Sequence, residues 1–67
     1  MKITLNNREE YFEENSLNFE ELFLIKKFSF KMLVTKLNGN LVKKEDRLTT
    51  QIHDGDDVTV MHLVSGG

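Results

Sequence analysis

The sequence predicts an α+β fold, one helix packed across a mixed sheet of four or five strands. Three observations predict it. The opening MKITLN alternates apolar and polar residues, SLNFEELFLIKKF switches to a helical period, and VTVMHLV alternates again near the end. Alternation marks a strand with one face buried, and a 3.6-residue period marks an amphipathic helix.

In MKITLN, Ile3 and Leu5 point one way and Lys2 and Thr4 the other. NNR follows and turns the chain, since asparagine tolerates positive φ. EEYFEE is a weaker second strand with Tyr11 and Phe12 as its apolar content, which makes the opening a β-hairpin. The helix comes next, with Phe19, Leu22, Phe23 and Lys26 on one face and Leu24 and Ile25 flanking it. Asn18 is its N-cap, and Glu21 stands three residues on, as in a capping box. Glu20 and Glu21 in the first turn and Lys26 and Lys27 in the last both suit the helix dipole. The helix is expected to end near Phe28, with no glycine to stop it.

KMLVTKL reads as a strand, and NGN after it as a type I′ hairpin turn. LV is a short returning strand. KKEDRLTTQI is polar and irregular, with room for one helical turn. HDGDD is a turn in which Gly55 supplies backbone freedom and the aspartates bond locally. VTVMHLV is the final strand. One helix laid on such a sheet buries the apolar faces of both, an arrangement of β-grasp type. Residues 1–64 are expected to form the domain and 65–67 a flexible tail.

The bulk numbers narrow the function classes. A chain of 67 residues is one domain at most and has little material for a walled cleft, which favours a binding or carrier module over an enzyme. Net charge is −2, from 9 basic and 11 acidic residues, a poor balance for gripping phosphate backbones. Lys43 and Lys44 are too few for a nucleic-acid site. Cysteine is absent, so there are no disulfide staples and a cytoplasmic setting is expected. MKITLNN turns polar too early for a signal peptide. LFLIKKFSFKMLV is too short and too charged to span a membrane.

Four pieces in order, MKITLN, LNGNLV, DGDDVTVMHLV and the closing GG, together resemble the sulfur carrier proteins of thiamin biosynthesis, the ThiS group. That group belongs with the small subunit of molybdopterin synthase and ubiquitin in the β-grasp superfamily. The resemblance covers the whole chain. It implies that a ThiF-like adenylating enzyme uses ATP to convert the terminal carboxylate to an acyl-adenylate. A sulfur donor such as a cysteine desulfurase then supplies the sulfur, leaving a thiocarboxylate on Gly67. Thiazole synthase receives it. The chain is then no enzyme and binds no cofactor of its own, and it is expected to be a monomer when free. The VSGG ending also occurs in the small subunit of molybdopterin synthase, so that carrier stays open as an alternative. So does a ubiquitin-like modifier or interaction domain. The short length and the lack of proline favour the thiamin side. Group members often carry a tryptophan in the loop after the NG strand, and KKEDRLTT has none, which lowers the expected packing of that loop.

The tail suits such chemistry. A Cβ on either terminal glycine would widen the tail and restrict its backbone. Gly67 carries the reacting carbonyl, Gly66 lets the chain bend, and Ser65 and Val64 lie at the mouth of a partner's channel. If Val58 and Val60 face the helix, Met61 and Leu63 face outward. Leu33, Thr35 and Leu37 go inward, which leaves Met32 and Val34 outward. The two strands are expected to be neighbours. Met32, Val34, Met61 and Leu63 then form an exposed apolar patch for partners, since such patches mark interaction sites and methionine adapts to more than one surface.

Other groupings have plainer readings. His53, His62, Asp54, Asp56 and Asp57 fit no metal spacing, and a turn before a strand explains them. Glu9, Glu10, Glu13 and Glu14 read as a solvated strand edge. Phe19, Phe23, Phe28 and Phe30 read as core.

Overall fold

The computed structural model describes residues 1–28 and 32–62. Among these residues, seven strands and one α-helix follow in the order β1 (Lys2–Leu5), β2 (Arg8–Tyr11), β3 (Ser16–Asn18), α1 (Phe19–Lys26), β4 (Leu33–Leu37), β5 (Asn40–Val42), β6 (Gln51–His53) and β7 (Asp57–His62), with a 3-10 turn over Lys44–Asp46 between β5 and β6. Five strands form one sheet in the order β2-β1-β7-β4-β5, and β3 pairs with β6 in a second, two-stranded sheet. β1 and β7 run parallel, and the other pairs run antiparallel. A mixed five-stranded sheet with one helix is the ubiquitin-like β-grasp fold, as the sequence predicts.

Two hairpin turns rest on successive positive-φ residues, and Gly55, at φ 85, serves the turn before β7. Asn6 and Asn7 link β1 to β2 at φ 51 and 68, and Asn38 and Gly39 link β4 to β5 at φ 51 and 83. Two successive positive-φ residues give the type I′ turn, whose twist matches that of the strands it joins. Asn38 does further work. Its Oδ1 accepts from the Asp57 N–H at 2.8 Å and its Nδ2 donates to Asp56 at 3.1 Å. The β4–β5 turn is thereby tied to the start of β7.

The helix begins as its residues dictate. The Asn18 side chain accepts from the Glu21 N–H at 2.8 Å, and the Glu21 carboxylate accepts from the Asn18 N–H at 2.9 Å. This reciprocal box satisfies two donors that the first turn leaves without intrahelical partners. The far end differs from expectation. The helix stops at Lys26, and Lys27 takes the left-handed conformation with φ 58. Its N–H and that of Phe28 return to Leu24 and Phe23 carbonyls, closing the helix without a glycine. Lys26 reaches the Glu10 carboxylate at 3.0 Å, with both side chains about a third exposed (31% each), a modest tie between α1 and β2. At the hairpin, Glu9 lies 3.1 Å from Lys2 and holds its ammonium pKa above the ordinary value.

Ile3, Leu5, Phe19, Leu22, Val42, Ile52, Val58 and Val60 form the buried core. Phe12, Phe23 and Phe28 pack against it half-buried, while Tyr11 is exposed. Phe30 lies outside the described residues.

Two further findings depart from the sequence reading. Ser16–Asn18, expected only to lead into the helix N-cap, is a strand, and so is Gln51–His53, expected as the end of an irregular loop and the start of a turn. They pair through Leu17 opposite Ile52, both buried. The loop between β5 and β6 is also packed, without tryptophan. Arg47 is 9% exposed. Its Nε donates to Thr35 Oγ1 at 3.1 Å, and a terminal guanidinium nitrogen donates to the Leu33 carbonyl at 2.6 Å. The guanidinium carbon stands 5.5 Å from the centre of the Phe23 ring, within cation–π range. The Arg47 carbonyl in turn accepts from the Phe19 N–H at 3.0 Å.

Thr35 is fully buried and donates to the Val42 carbonyl at 2.6 Å. Thr35→Val keeps the shape and removes the hydroxyl, leaving the Arg47 Nε–H buried without its acceptor. That is expected to cost about 1–3 kcal/mol of stability, measured by urea unfolding. With Arg47→Met also in place the cost is expected to fall below the sum of the two. A change under about 0.5 kcal/mol for Thr35→Val, the range of ordinary surface substitutions, would contradict the role given to this cluster.

Candidate functional site

The central strands β4 and β7 set the geometry. They pair antiparallel with Val34 opposite Met61, Thr35 opposite Val60 and Leu37 opposite Val58. Thr35, Val58 and Val60 are buried on the helix side. Alternation therefore turns Val34 and Met61 to the outer face. Met61 is 45% exposed and Met32, just before β4, is 54% exposed. Val34 is half-buried beside Met61. Leu63, Val64, Ser65, Gly66 and Gly67 lie outside the described residues.

Leu41 joins this outer face and the sequence reading missed it. Leu41 stands opposite Lys36 in the β4–β5 hairpin, and Lys36 points outward because its neighbour Thr35 points in. Leu41 is 63% exposed. Its position was available from sequence, because a two-residue Asn38–Gly39 turn makes Leu37 face Asn40 and Lys36 face Leu41. Lys36 separates Leu41 from Thr59, its other neighbour. The face is thus apolar toward the far end of β7, with a cation and a hydroxyl beside it.

The acidic turn before β7 is engaged in folding. Asp56 accepts from the His53 N–H at 2.8 Å as well as from Asn38, and Asp54 accepts from the Lys2 N–H at 2.7 Å. His62 lies opposite Leu33 at the end of β7. Among the described residues no group of three or more His, Asp or Glu side chains is placed to hold a metal, and no helix is long and apolar enough to cross a membrane. The described residues thus offer a shaped apolar strand face that leads along β7 toward the C-terminus.

The β-grasp fold has relatives among solved structures. In a crystal structure of the thiamine biosynthesis protein ThiS from Geobacter metallireducens, the match has a TM-score of 0.90 and 29% identity and covers 100% of both chains. An NMR solution structure of a thiamine biosynthesis protein from the same organism matches with a TM-score of 0.81 and 29% identity, covering 100% of this chain and 88% of that one. No curated protein matches the chain. The model of the ThiS family matches residues 3–67, the strand face and the diglycine ending included, so the chain belongs to the ThiS family.

Proposed function

We propose that the chain is a sulfur carrier of thiamin biosynthesis and that Gly67 carries the sulfur. The observation that carries this reading is the family match, which runs through Gly66 and Gly67. A free carboxylate is a poor acyl donor, so it needs activation. The Gly67 carboxylate attacks the α-phosphorus of ATP on a ThiF-like adenylating enzyme and pyrophosphate leaves. A sulfur nucleophile, the persulfide of a donor such as a cysteine desulfurase, attacks the resulting acyl-adenylate and expels AMP. A thiol then cleaves the acyl disulfide, leaving the thiocarboxylate on Gly67 and a disulfide on the donor side. The thiocarboxylate then gives its sulfur to thiazole synthase. The partner binds the ATP and performs the catalysis, and the chain is its protein substrate, a monomer between encounters in the cytoplasm.

Residues 1–64 serve as the handle, and 65–67 enter the partner's nucleotide site. Gly66 and Gly67 keep the entering segment narrow, with Ser65 and Val64 at the channel mouth. Met32, Val34, Met61 and Leu63 form the docking face. The exposure of Met32 and Met61 and the pairing of Val34 with Met61 support it. The VSGG ending keeps one second reading in play, a small subunit of a molybdopterin synthase. That subunit would be recovered in a stable complex with a larger catalytic chain rather than cycling between two enzymes.

Adenylation is reversible, so it is read by exchange of labelled pyrophosphate into ATP. With a thiamin-pathway adenylating enzyme the chain is expected to stimulate exchange. Met61→Asp places a charge on the docking face and is expected to raise the half-maximal chain concentration about tenfold, equivalent to about 1.4 kcal/mol of binding. No stimulation by the unsubstituted chain, with an enzyme active on its own carrier, would sink the reading. A Met61→Asp chain that matches the original would remove the face from it.

A further inference from the structure

We infer that Asn6 is a positioning residue for the C-terminal segment, acting through Val60. This inference rests on the sulfur-carrier reading for its kinetic consequence, while its structural part stands alone. β1 runs parallel to β7 through Thr4 opposite Asp57 and Leu5 opposite Val58. The Thr4 N–H donates to the Asp56 carbonyl at 3.0 Å, and the Asn6 N–H donates to the Val58 carbonyl at 2.9 Å. A parallel ladder repeats evenly every two residues. Its next steps would give the Val60 N–H the backbone carbonyl of Asn6, and the Val60 carbonyl the N–H of the residue two further on. The chain has already left the strand, because Asn6 takes φ 51 and opens the turn into β2.

The Asn6 side chain supplies both missing partners. Its Oδ1 accepts from the Val60 N–H at 2.8 Å, and its Nδ2 donates to the Val60 carbonyl at 3.0 Å. One amide thus stands in for two backbone groups of a strand that has ended. Val60 is opposite Thr35 on its other side. Past Val60, β7 pairs with β4, Met61 opposite Val34 and His62 opposite Leu33. The clamp therefore sits where β7 passes from a place between two strands to its last residues before the tail. It holds the backbone of β7 on the β1 side at Val60, so that past this point only the β4 pairing of Met61 and His62 guides the strand. The clamp lies within three residues of the docking face yet uses none of its side chains. Its loss should loosen the backbone from Val60 to His62, while the β4 pairing keeps the Val34 and Met61 side chains on the docking face.

The test separates the backbone and side-chain roles of Asn6. Asn6→Gly keeps the positive φ at no steric cost and removes the clamp. Asn6→Asp keeps an acceptor for the Val60 N–H and loses the donor. Sulfur loading is followed by intact mass with the thiamin-pathway adenylating enzyme, ATP and a sulfur source. Asn6→Gly is expected to lower kcat about tenfold, in line with the cost of misplacing a reacting group, with KM changed less than twofold. Asn6→Asp is expected to recover part of the loss and also serves if Asn6→Gly does not fold. Backbone amide order parameters at Val60, Met61 and His62 are expected to fall in Asn6→Gly. Unchanged kcat, or a raised KM with kcat intact, would overturn the positioning role. If the unsubstituted chain takes up no sulfur, the carrier reading fails instead. The order parameters then decide the clamp alone: a fall supports it, and unchanged values overturn it.

Discussion

Removal of Gly66 and Gly67 is expected to abolish growth without thiamin in cells whose own carrier has been deleted, while the full chain restores it. The effect is all-or-none because the proposed chemistry occurs on one carboxylate, and shortening the chain leaves Ser65 as the terminal residue. The new carboxylate is held back from the nucleotide site by two residues, roughly 7 Å of extended chain. Reacting atoms must approach to about 3–3.5 Å, so a shift of that size removes the reaction rather than slowing it. Folding should survive, since the core is assembled from residues between Ile3 and Val60. The urea midpoint of the shortened chain is expected to match that of the full chain. Restored growth by the shortened chain would favour a plain interaction domain, one that works through its surface. Slower-migrating conjugates of the full chain in extracts would favour a modifier.

Phe19→Ala is expected to cost about 3–5 kcal/mol, the usual range for a buried aromatic truncated to alanine. Phe19 is fully buried, and Leu22, one turn on, is buried with it. Its N–H is also the donor that holds the Arg47 carbonyl. Small domains bury a smaller share of their surface and are marginal for that reason. Total stabilities of about 5–15 kcal/mol are typical, so this one change removes a large part of what the domain has. Leu24→Ala is the control on the same helix: Leu24 is 79% exposed, and its loss is expected to change stability by less than about 0.5 kcal/mol. Both are read from urea unfolding. Equal costs at the two positions would contradict the placement of α1 on the sheet.

Much of this fold is legible in the residues, for reasons that are local. The Asn18–Glu21 box and the Asn38–Gly39 turn each depend on a few neighbouring residues, and the structure has both. The facing of β7 follows from alternation over six residues. The register of Val34 against Met61 then follows from the inward turn of Thr35, Val58 and Val60. The elements that escaped notice depend on distant partners. β3 and β6 have three residues each, too few for a period, and each presents a single buried apolar side chain, Leu17 and Ile52. Their pairing spans a long separation in the chain, and Leu17 on its own fits a helical start as well as a strand.

Arg47 and Asn6 were hidden for a different reason. Arginine is rarely buried, and nothing in KKEDRLTT singles out one cation from its neighbours. Burial of Arg47 depends on two acceptors in β4 and on the Phe23 ring, all remote in sequence. Asn6 reads as a turn former, which it is, but its side-chain bonds reach Val60, 54 residues away. On the outer strand face the limit was smaller. Leu41 was one step of register away from residues already placed, opposite Lys36 across a turn of known length.

The central claim is that sulfur is carried on Gly67. Its most direct test is the intact mass of the chain after incubation with a thiamin-pathway adenylating enzyme, ATP and a sulfur source, beside controls lacking each. The expected result is a gain equal to exchanging one oxygen for one sulfur, localised to Gly67 by fragmentation and absent when Gly67 is deleted. An unchanged mass, with an enzyme that loads its own carrier in the same mixture, would contradict the account.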